Sequence, residues 1–443
     1  MTFFFIKLIQ LLISISMLIV IHELGHFFFA KFFNVHVEKF FLFFNPWFSL
    51  FKKRIGNTTY GIGWIPLGGY VKINGLNHQS KTSLEKKNKY SFNSKSSFQR
   101  LFIISGGIIA NALLSITIFS FLFFYYGEVN LPIKNIQYGV EVGSLGKKIG
   151  FMNGDKVLSI NGENVHYFSE LPKSLLLGKK ILINRMGNVI NLSINNKTKK
   201  LIFNRKKNKT FTFQPRIPSI IYHIEKYKIA EKCGFQVNDE ILSMDNDHIL
   251  FFDQIKNMIF KENNKKWIFS INRNGTFIQK HIYVNINQLL GMRIQNGMDL
   301  SNIFCFEKMD YSLFKSIQYG YMRTCSVLKN QIHLFKNIFH TETGAYKQVG
   351  SFLSMAKEFP SVWNWEIFWN LTATLSIWLS FINIFPIPSL DGGYILFIIM
   401  EIFMGKKLSE KILERSTIVG FFIVSILMIL VVVWDVFKVF FIS

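Results

Sequence analysis

Cysteine is scarce in this chain: its 443 residues hold three, Cys233, Cys305 and Cys325, with no C-x-x-C pair. So sparse and odd a set excludes a disulfide framework and a cysteine-built zinc site, and leaves inert thiols. Acidic residues are few as well, 27 Asp and Glu against 51 Lys and Arg, for a net charge of +24. That balance raises nucleic acid or an anionic membrane as partners. The basic residues are nevertheless spread along the chain and accompany 49 Phe and abundant Ile and Asn, as codon drift in an AT-rich genome produces. The charge is therefore read as compositional bias plus membrane topology, and no nucleic-acid partner is expected. A small-residue cleavage site is also lacking after the apolar stretch 1–21, and apolar residues resume past His26. This argues against a removed signal peptide and for a retained membrane span.

What the chain does have is long apolar runs, with a mean hydropathy of +0.25. Four segments, 1–33, 101–126, 366–390 and 413–440, are apolar and exceed the roughly 20 residues that cross a bilayer. The second carries Asn111 and opens near Ser105-Gly106-Gly107, small residues that let helices approach closely and make a packing face. The stretch 34–100 is rich in Lys and Arg, from Lys39, Lys52, Lys53 and Arg54 through Lys81, Lys86 and Lys87 to Arg100. Lys406, Lys407, Lys411 and Arg415 lie between the last two spans. The positive-inside rule places both short loops in the cytoplasm and the termini and long middle segment outside.

That middle segment repeats itself. Lys148–Gly162 reads KIGFMNGDKVLSING and Lys232–Asn246 reads KCGFQVNDEILSMDN, pairing Gly150 with Gly234 and Asp155 with Asp239. Further on, Ile183-Asn184-Arg185-Met186-Gly187 is echoed by Ile271-Asn272-Arg273-Asn274-Gly275. Each copy predicts a helix capped at Gly, an Asp-led turn, a strand, and a closing hairpin with Gly at its turn. Two β-rich modules are expected, over 131–200 and 210–290, followed by a linker over 291–365. The amphipathic helix predicted at 311–338 in that linker is expected to pack on the membrane surface or the modules. The apolar, Gly-rich stretch 58–73 is too short to span. As a β-hairpin dipping into the membrane it would have to lie against protein or water. The expected fold class is an α-helical polytopic membrane protein of about four transmembrane helices, with two β-rich domains in the long external loop.

The chemistry concentrates in His22-Glu23-Leu24-Gly25-His26, an H-E-x-x-H sequence inside the first span. Residues i and i+4 share a helix face, so both imidazoles can reach one metal, and Glu23 lies beside them to act as general base. Ionisable groups are costly in hydrocarbon, so their presence in a span points to function. None of the other eight histidines repeats this spacing. A catalytic zinc takes three protein ligands and keeps one open position. Asp391 is the candidate third ligand, at the end of the third span in N-I-F-P-I-P-S-L-D-G-G, residues 383–393. Pro386 and Pro388 break the helix, and Gly392 and Gly393 permit an irregular exit.

H-E-L-G-H in a first span with N-x-x-P-x-P-x-L-D-G in a later one resembles the site-2 protease family. Four spans with two tandem PDZ-like modules in an external loop resemble its bacterial regulator-of-sigma-E protease type. Pro66-Leu67-Gly68-Gly69-Tyr70-Val71 matches a further motif, which in that family belongs to a membrane-reentrant β element. The resemblance implies an intramembrane zinc metalloprotease with zinc on His22, His26 and Asp391 and Glu23 as general base. It also implies that Asn383 holds the substrate backbone, with Pro386, Pro388, Gly68 and Gly69 as further substrate-binding positions. Implied partners are the lipid bilayer and single-span proteins already trimmed outside, or remnant signal peptides, with the PDZ-like modules screening them. The implied location is the bacterial inner membrane, multi-pass, with those modules on the periplasmic side. Two departures stand out. Tyr394 follows Asp-Gly-Gly where many relatives have His, and Gly107-Ile108 replaces Gly-Pro. A catalytically silent scaffold whose modules capture partner termini is the rival reading, opposed by the presence of all four chemical groups.

Overall fold

The computed structural model describes residues 2–76, 89–171, 180–194, 213–222, 224, 229–262, 265–284, 303–339 and 352–437. Parts of the expected segments fall outside them: Met1, Lys81, Lys86, Lys87, 172–179, 195–200, 210–212, 285–302, 340–351 and 438–440. Two compact units result. One holds Met1–Gly127, Asp310–Phe339 and the chain from Gln348, and the other is built on Glu128–Met309.

Among the described residues, six long helices build the first unit: α1 (Thr2–Phe32), α2 (Ser97–Tyr125), α3 (Leu313–Phe339), α4 (Trp365–Asn383), α5 (Asp391–Met404) and α6 (Glu410–Phe437). A capping box starts α2: Ser96 Oγ accepts from the Gln99 amide, and Gln99 Oε1 accepts from the Ser96 amide. Among the described residues, three helical stretches are long and apolar enough to cross a membrane, Phe4–Phe32, Ser97–Tyr125 and Lys411–Leu430. Only 6% of the last is buried within the protein. Its apolar side chains therefore need lipid around them, and the molecule is a membrane protein.

The helix of the expected third span, 366–390, stops short of its end. α4 ends at Asn383, residues 384–390 are irregular, and Asp391 opens α5 instead of closing α4. α4 is less apolar because its buried face meets protein. Ser376 Oγ donates to the Asn111 carbonyl at 2.7 Å and Ser380 Oγ to the Ile108 carbonyl at 3.1 Å. The glycines after Asp391 also differ from expectation. Both are helical, and a methyl on Gly392 would strike the Ile384 and Phe385 carbonyls. Their smallness serves the close packing of α5 on the proline-bearing turn, where an irregular exit was expected.

The stretch 58–73 forms no hairpin. Strands β1 (Val37–Phe44), β2 (Phe51–Ile55), β3 (Thr58–Ile62) and β4 (Ile65–Ile73) make one sheet in the order β2-β3-β1-β4. β1, with Val37, Phe40 and Phe41 buried, inserts between β3 and β4 and runs parallel to β3. β2 (FKKRI), exposed at all five residues, takes one edge. β4 takes the other and lies along α1.

The amphipathic helix, α3, also departs from expectation, since it packs along α2. Ser115 Oγ and Thr324 Oγ1 are 3.3 Å apart, and a side chain on Gly320 would collide with Ser120. Its buried line is Ser316, Gly320, Thr324 and Gln331, while Leu313, Ile317 and Met322 are exposed. Small residues bring the helices together, leaving Leu313, Ile317 and Met322 outward, an arrangement suited to lipid, while Phe335 packs against Phe381 and Phe385.

In the second unit the repeat becomes two modules of one design. Their strands are Lys156–Ile160, Glu163–Asn164, Lys180–Arg185 and Asn188–Ser193, then Glu240–Met244, Asp247–His248, Lys265–Arg273 and Thr276–Val284. Numbered within its module, each antiparallel sheet has the order 4-3-1-2. Phe151, Val157, Ile160 and Ile183 fill one core as Phe235, Ile241, Met244 and Ile271 fill the other. Met186-Gly187 and Asn274-Gly275 have positive φ at both residues, the turn that suits the twist of a hairpin.

The repeated charges explain themselves in this frame. Arg185 Nε and Nη2 donate to the two oxygens of buried Asp155, both at 2.7 Å, and Nη2 also reaches the Gly150 carbonyl. Arg273 does the same with buried Asp239, at 2.7 and 2.8 Å, and with the Gly234 carbonyl. A bidentate clamp thus joins the helix end, the Asp-led turn and the strand before the hairpin. Burial alone would raise the Asp239 carboxyl, but Arg273 and the Gln236 amide hold it below its ordinary value of 3.8. A lowered folded-state value means the clamp's contribution is complete above about pH 4 and is lost as the pH falls below that. Asp239→Asn should cost about 1.5–3 kcal/mol locally. Amide exchange over 240–244 and 265–273, read on the full-length protein in detergent, should rise about 10- to 150-fold. Rates in the first module should not change.

Candidate metal centre

A helix places His22 and His26 one turn apart, and the structure turns both rings to the same point. Their Nε2 atoms are 3.2 Å apart, with the ring planes at 84°. Asp391 Oδ2, from the first residue of α5, lies 3.1 Å from His22 Nε2 and 3.4 Å from His26 Nε2. All three residues are largely buried. Among the described residues this is the one group of three or more His, Cys, Asp or Glu able to hold a metal ion.

The donor set fits zinc. Ligand bonds of about 2.0–2.1 Å in a tetrahedron put neighbouring donor atoms about 3.3 Å apart, close to the three separations here. The other ring nitrogens are engaged as a metal site requires. His26 Nδ1–H donates to the Ile103 carbonyl at 2.9 Å, which leaves the Nε2 lone pair facing the centre. His22 Nδ1 meets the Asn111 amide at 3.4 Å. The Asn111 Oδ1 is buried without a partner, so turning that amide over satisfies both the oxygen and an Nδ1–H donor. Asp391 Oδ2 is likewise buried with no hydrogen-bond donor, as befits an oxygen facing a cation.

Glu23 is anchored from the sheet. Its Oε2 accepts the Val71 amide at 2.9 Å, so the end of the Pro66–Val71 motif is tied directly to the candidate base. Gly68 and Gly69 lie on β4, the edge strand. Gly68 has φ +145, and a methyl on Gly69 would fall on the Phe41 carbonyl. Asn383 is buried at the end of α4, and Pro386 and Pro388 are in the irregular turn leading to Asp391. The elements bearing the expected positions thus belong to one unit, with β4 and α4 both packing on α1 and Asp391 meeting its two histidines. Tyr394 points elsewhere, with its hydroxyl 3.5 Å from Thr417 Oγ1.

Sequence reasoning missed the supports on α2. It read Gly107 and Asn111 as a packing face. Gly107 is also the seat of the His22 ring, since a methyl there would come within 2.5–2.6 Å of Cε1, Nδ1 and Nε2. The available signal was Asn111 itself, an amide in an apolar helix that demands a partner.

Comparison with known proteins agrees with this geometry. The sequence model described as Peptidase family M50 matches residues 10–427. The chain is 25% identical to the Regulator of sigma E protease of Haemophilus influenzae, over 90% of this chain and 92% of the relative. It is 27% identical to a Borreliella burgdorferi protein bearing the name "Putative zinc metalloprotease", over 93% of each. A Vibrio cholerae protein with the same name is 24% identical over 95% of this chain and 96% of its own. A match across nearly the whole length, with the paired motifs inside it, makes this chain a member of peptidase family M50, the site-2 protease family of zinc metalloproteases.

Proposed function

We propose that the chain hydrolyses peptide bonds within membrane-spanning segments, with zinc held by His22, His26 and Asp391 and with Glu23 as general base. The observation that supports this best is the convergence of three donor atoms at 3.1–3.4 Å from two helices of a membrane protein. When bound, zinc supplies Lewis-acid polarisation of the scissile carbonyl and of the attacking water. Glu23 takes the proton of that water as its oxygen adds to the carbonyl carbon. It then returns a proton to the departing amine as the C–N bond breaks. The Val71 amide holds the Glu23 carboxylate in place for both transfers.

A helix hides its peptide bonds in internal hydrogen bonds, so the substrate has to unwind before it is cut. The edge of β4 beside Glu23, including Gly68 and Gly69, offers backbone groups to an extended chain. The Asn383 amide, with the turn of Pro386 and Pro388, lies next to the carboxylate ligand in sequence and steadies the same strand. The substrates are single-span proteins trimmed outside, or remnant signal peptides. The PDZ-like modules screen them from the periplasmic side of a bacterial inner membrane.

Glu23→Gln keeps the shape of the side chain and loses the base. It should retain zinc while cleavage of a model span falls about 10²–10⁴-fold. His22→Ala and Asp391→Asn should instead lower the zinc content of the purified protein. Full occupancy in Asp391→Asn would put the third ligand elsewhere.

Orientation has its own test, in a background with the native cysteines replaced by serine. Lys52→Cys and Lys406→Cys should resist an impermeant thiol reagent added from outside, and Lys148→Cys and Lys232→Cys should react. Labelling at position 52 from outside would reverse the topology.

A further inference from the structure

Asp391 is the ligand furthest along the chain from the other two, and it depends on where α5 sits. α5 is one continuous helix of 14 residues, so a shift at its far end moves the carboxylate at its start. Near that far end is Glu401, a carboxylate within the apolar run Ile398–Met404 and only 7% exposed. Its Oε2 accepts from Arg100 Nη2 at 2.6 Å, and its Oε1 accepts from the Leu408 amide at 3.0 Å. Arg100, 5% exposed, is in the first turn of α2 and also reaches Ser97 Oγ.

The place of Arg100 on α2 gives the pair its meaning. Arg100, Ile103, Gly107 and Asn111 are spaced three, four and four residues apart, and so form one stripe of the helix. Ile103 fixes His26 through its carbonyl, while Gly107 and Asn111 seat His22. Arg100 continues that stripe and grips the helix that carries the third donor. Two helices could be held together as firmly by apolar side chains. A buried ion pair is a poor source of stability because desolvation offsets its attraction. What it adds is direction, since a short charged bond with both carboxylate oxygens engaged resists the sliding and rotation that apolar contacts permit.

We propose that Arg100 and Glu401 are positioning residues that set α5 along and about its axis, so that Asp391 Oδ2 meets the two imidazoles. This rests on the zinc reading of His22, His26 and Asp391. Metal sites lose function when donors stray by about 0.5 Å, so modest play in α5 is enough to matter.

The test uses the full-length protein in detergent and two variants. The double variant Arg100→Met, Glu401→Met replaces the pair by apolar side chains of similar length. Glu401→Asp keeps the charge and shortens the reach by one methylene. Zinc affinity is measured by competition with a chelator, folding by amide exchange over α2 and α5, and cleavage of a model span at saturating zinc. Each variant whose exchange matches the parent should bind zinc about 10–100-fold more weakly, the range seen when the supports of metal ligands are lost. Each should also show a lower kcat with an unchanged KM. Parent-like zinc affinity in either folded variant would overturn the proposal. Unchanged zinc binding of the parent after Asp391→Asn would instead remove the zinc reading beneath it, so the two failures are distinguishable.

Discussion

The backbones of α1 and α2 touch, and the site depends on that contact. A methyl on Gly25 would land on the Gly106 carbonyl, and one on Gly106 would meet the Gly25 carbonyl at 2.5 Å. Only glycine at both positions lets the helices come so close. That closeness brings the Ile103 carbonyl within 2.9 Å of the His26 ring and puts Gly107 beneath His22. A larger residue at the crossing would hold the helices apart and leave both imidazoles without their supports. In lipid there is no water to take over those hydrogen bonds. Close helix packing and metal geometry are therefore one requirement. Gly25, inside H-E-L-G-H, belongs to the packing half of it.

Much of this is legible in the sequence alone, for reasons that are local or periodic. His22 and His26 share a face by helix geometry alone. An Asp before Gly-Gly is commonly a turn residue, and Asp391 stands out because it lies at the same end of its apolar segment as His22 and His26 do of theirs. The repeat told even more than it was asked: the positions it paired, Gly150 with Gly234, Asp155 with Asp239 and Arg185 with Arg273, turned out to be the three parts of one clamp made twice. What stayed hidden was tertiary. No spacing rule links Arg100 to Glu401, 301 residues away. Nothing within 58–73 says that β1 will insert between its two strands. α3 misled because its apolar stripe is visible in sequence, while the line of Ser316, Gly320 and Thr324 that packs on α2 reads as polar surface.

The two units solve the same problem, a buried carboxylate, in different ways. Asp155 and Asp239 each receive a guanidinium and a backbone amide, and every partner comes from the same module. Their Arg partners are about one-fifth exposed, so water shares the cost of holding the charge. Glu401 has a similar set, Arg100 and the Leu408 amide, but both members of the ion pair are almost wholly buried. Asp391 differs from all of these. Its Oδ2 is buried and faces the Nε2 atoms of two imidazoles, which with Nδ1 protonated turn their lone pairs to the same point. Three acceptors aimed at one point repel one another unless a cation joins them. A fold that brings them there, with Gly392 and Gly393 packed tightly behind and with Ile103, Gly107 and Asn111 fixing the rings, has spent its close contacts on an arrangement that suits a bound cation, as the proposed zinc site requires.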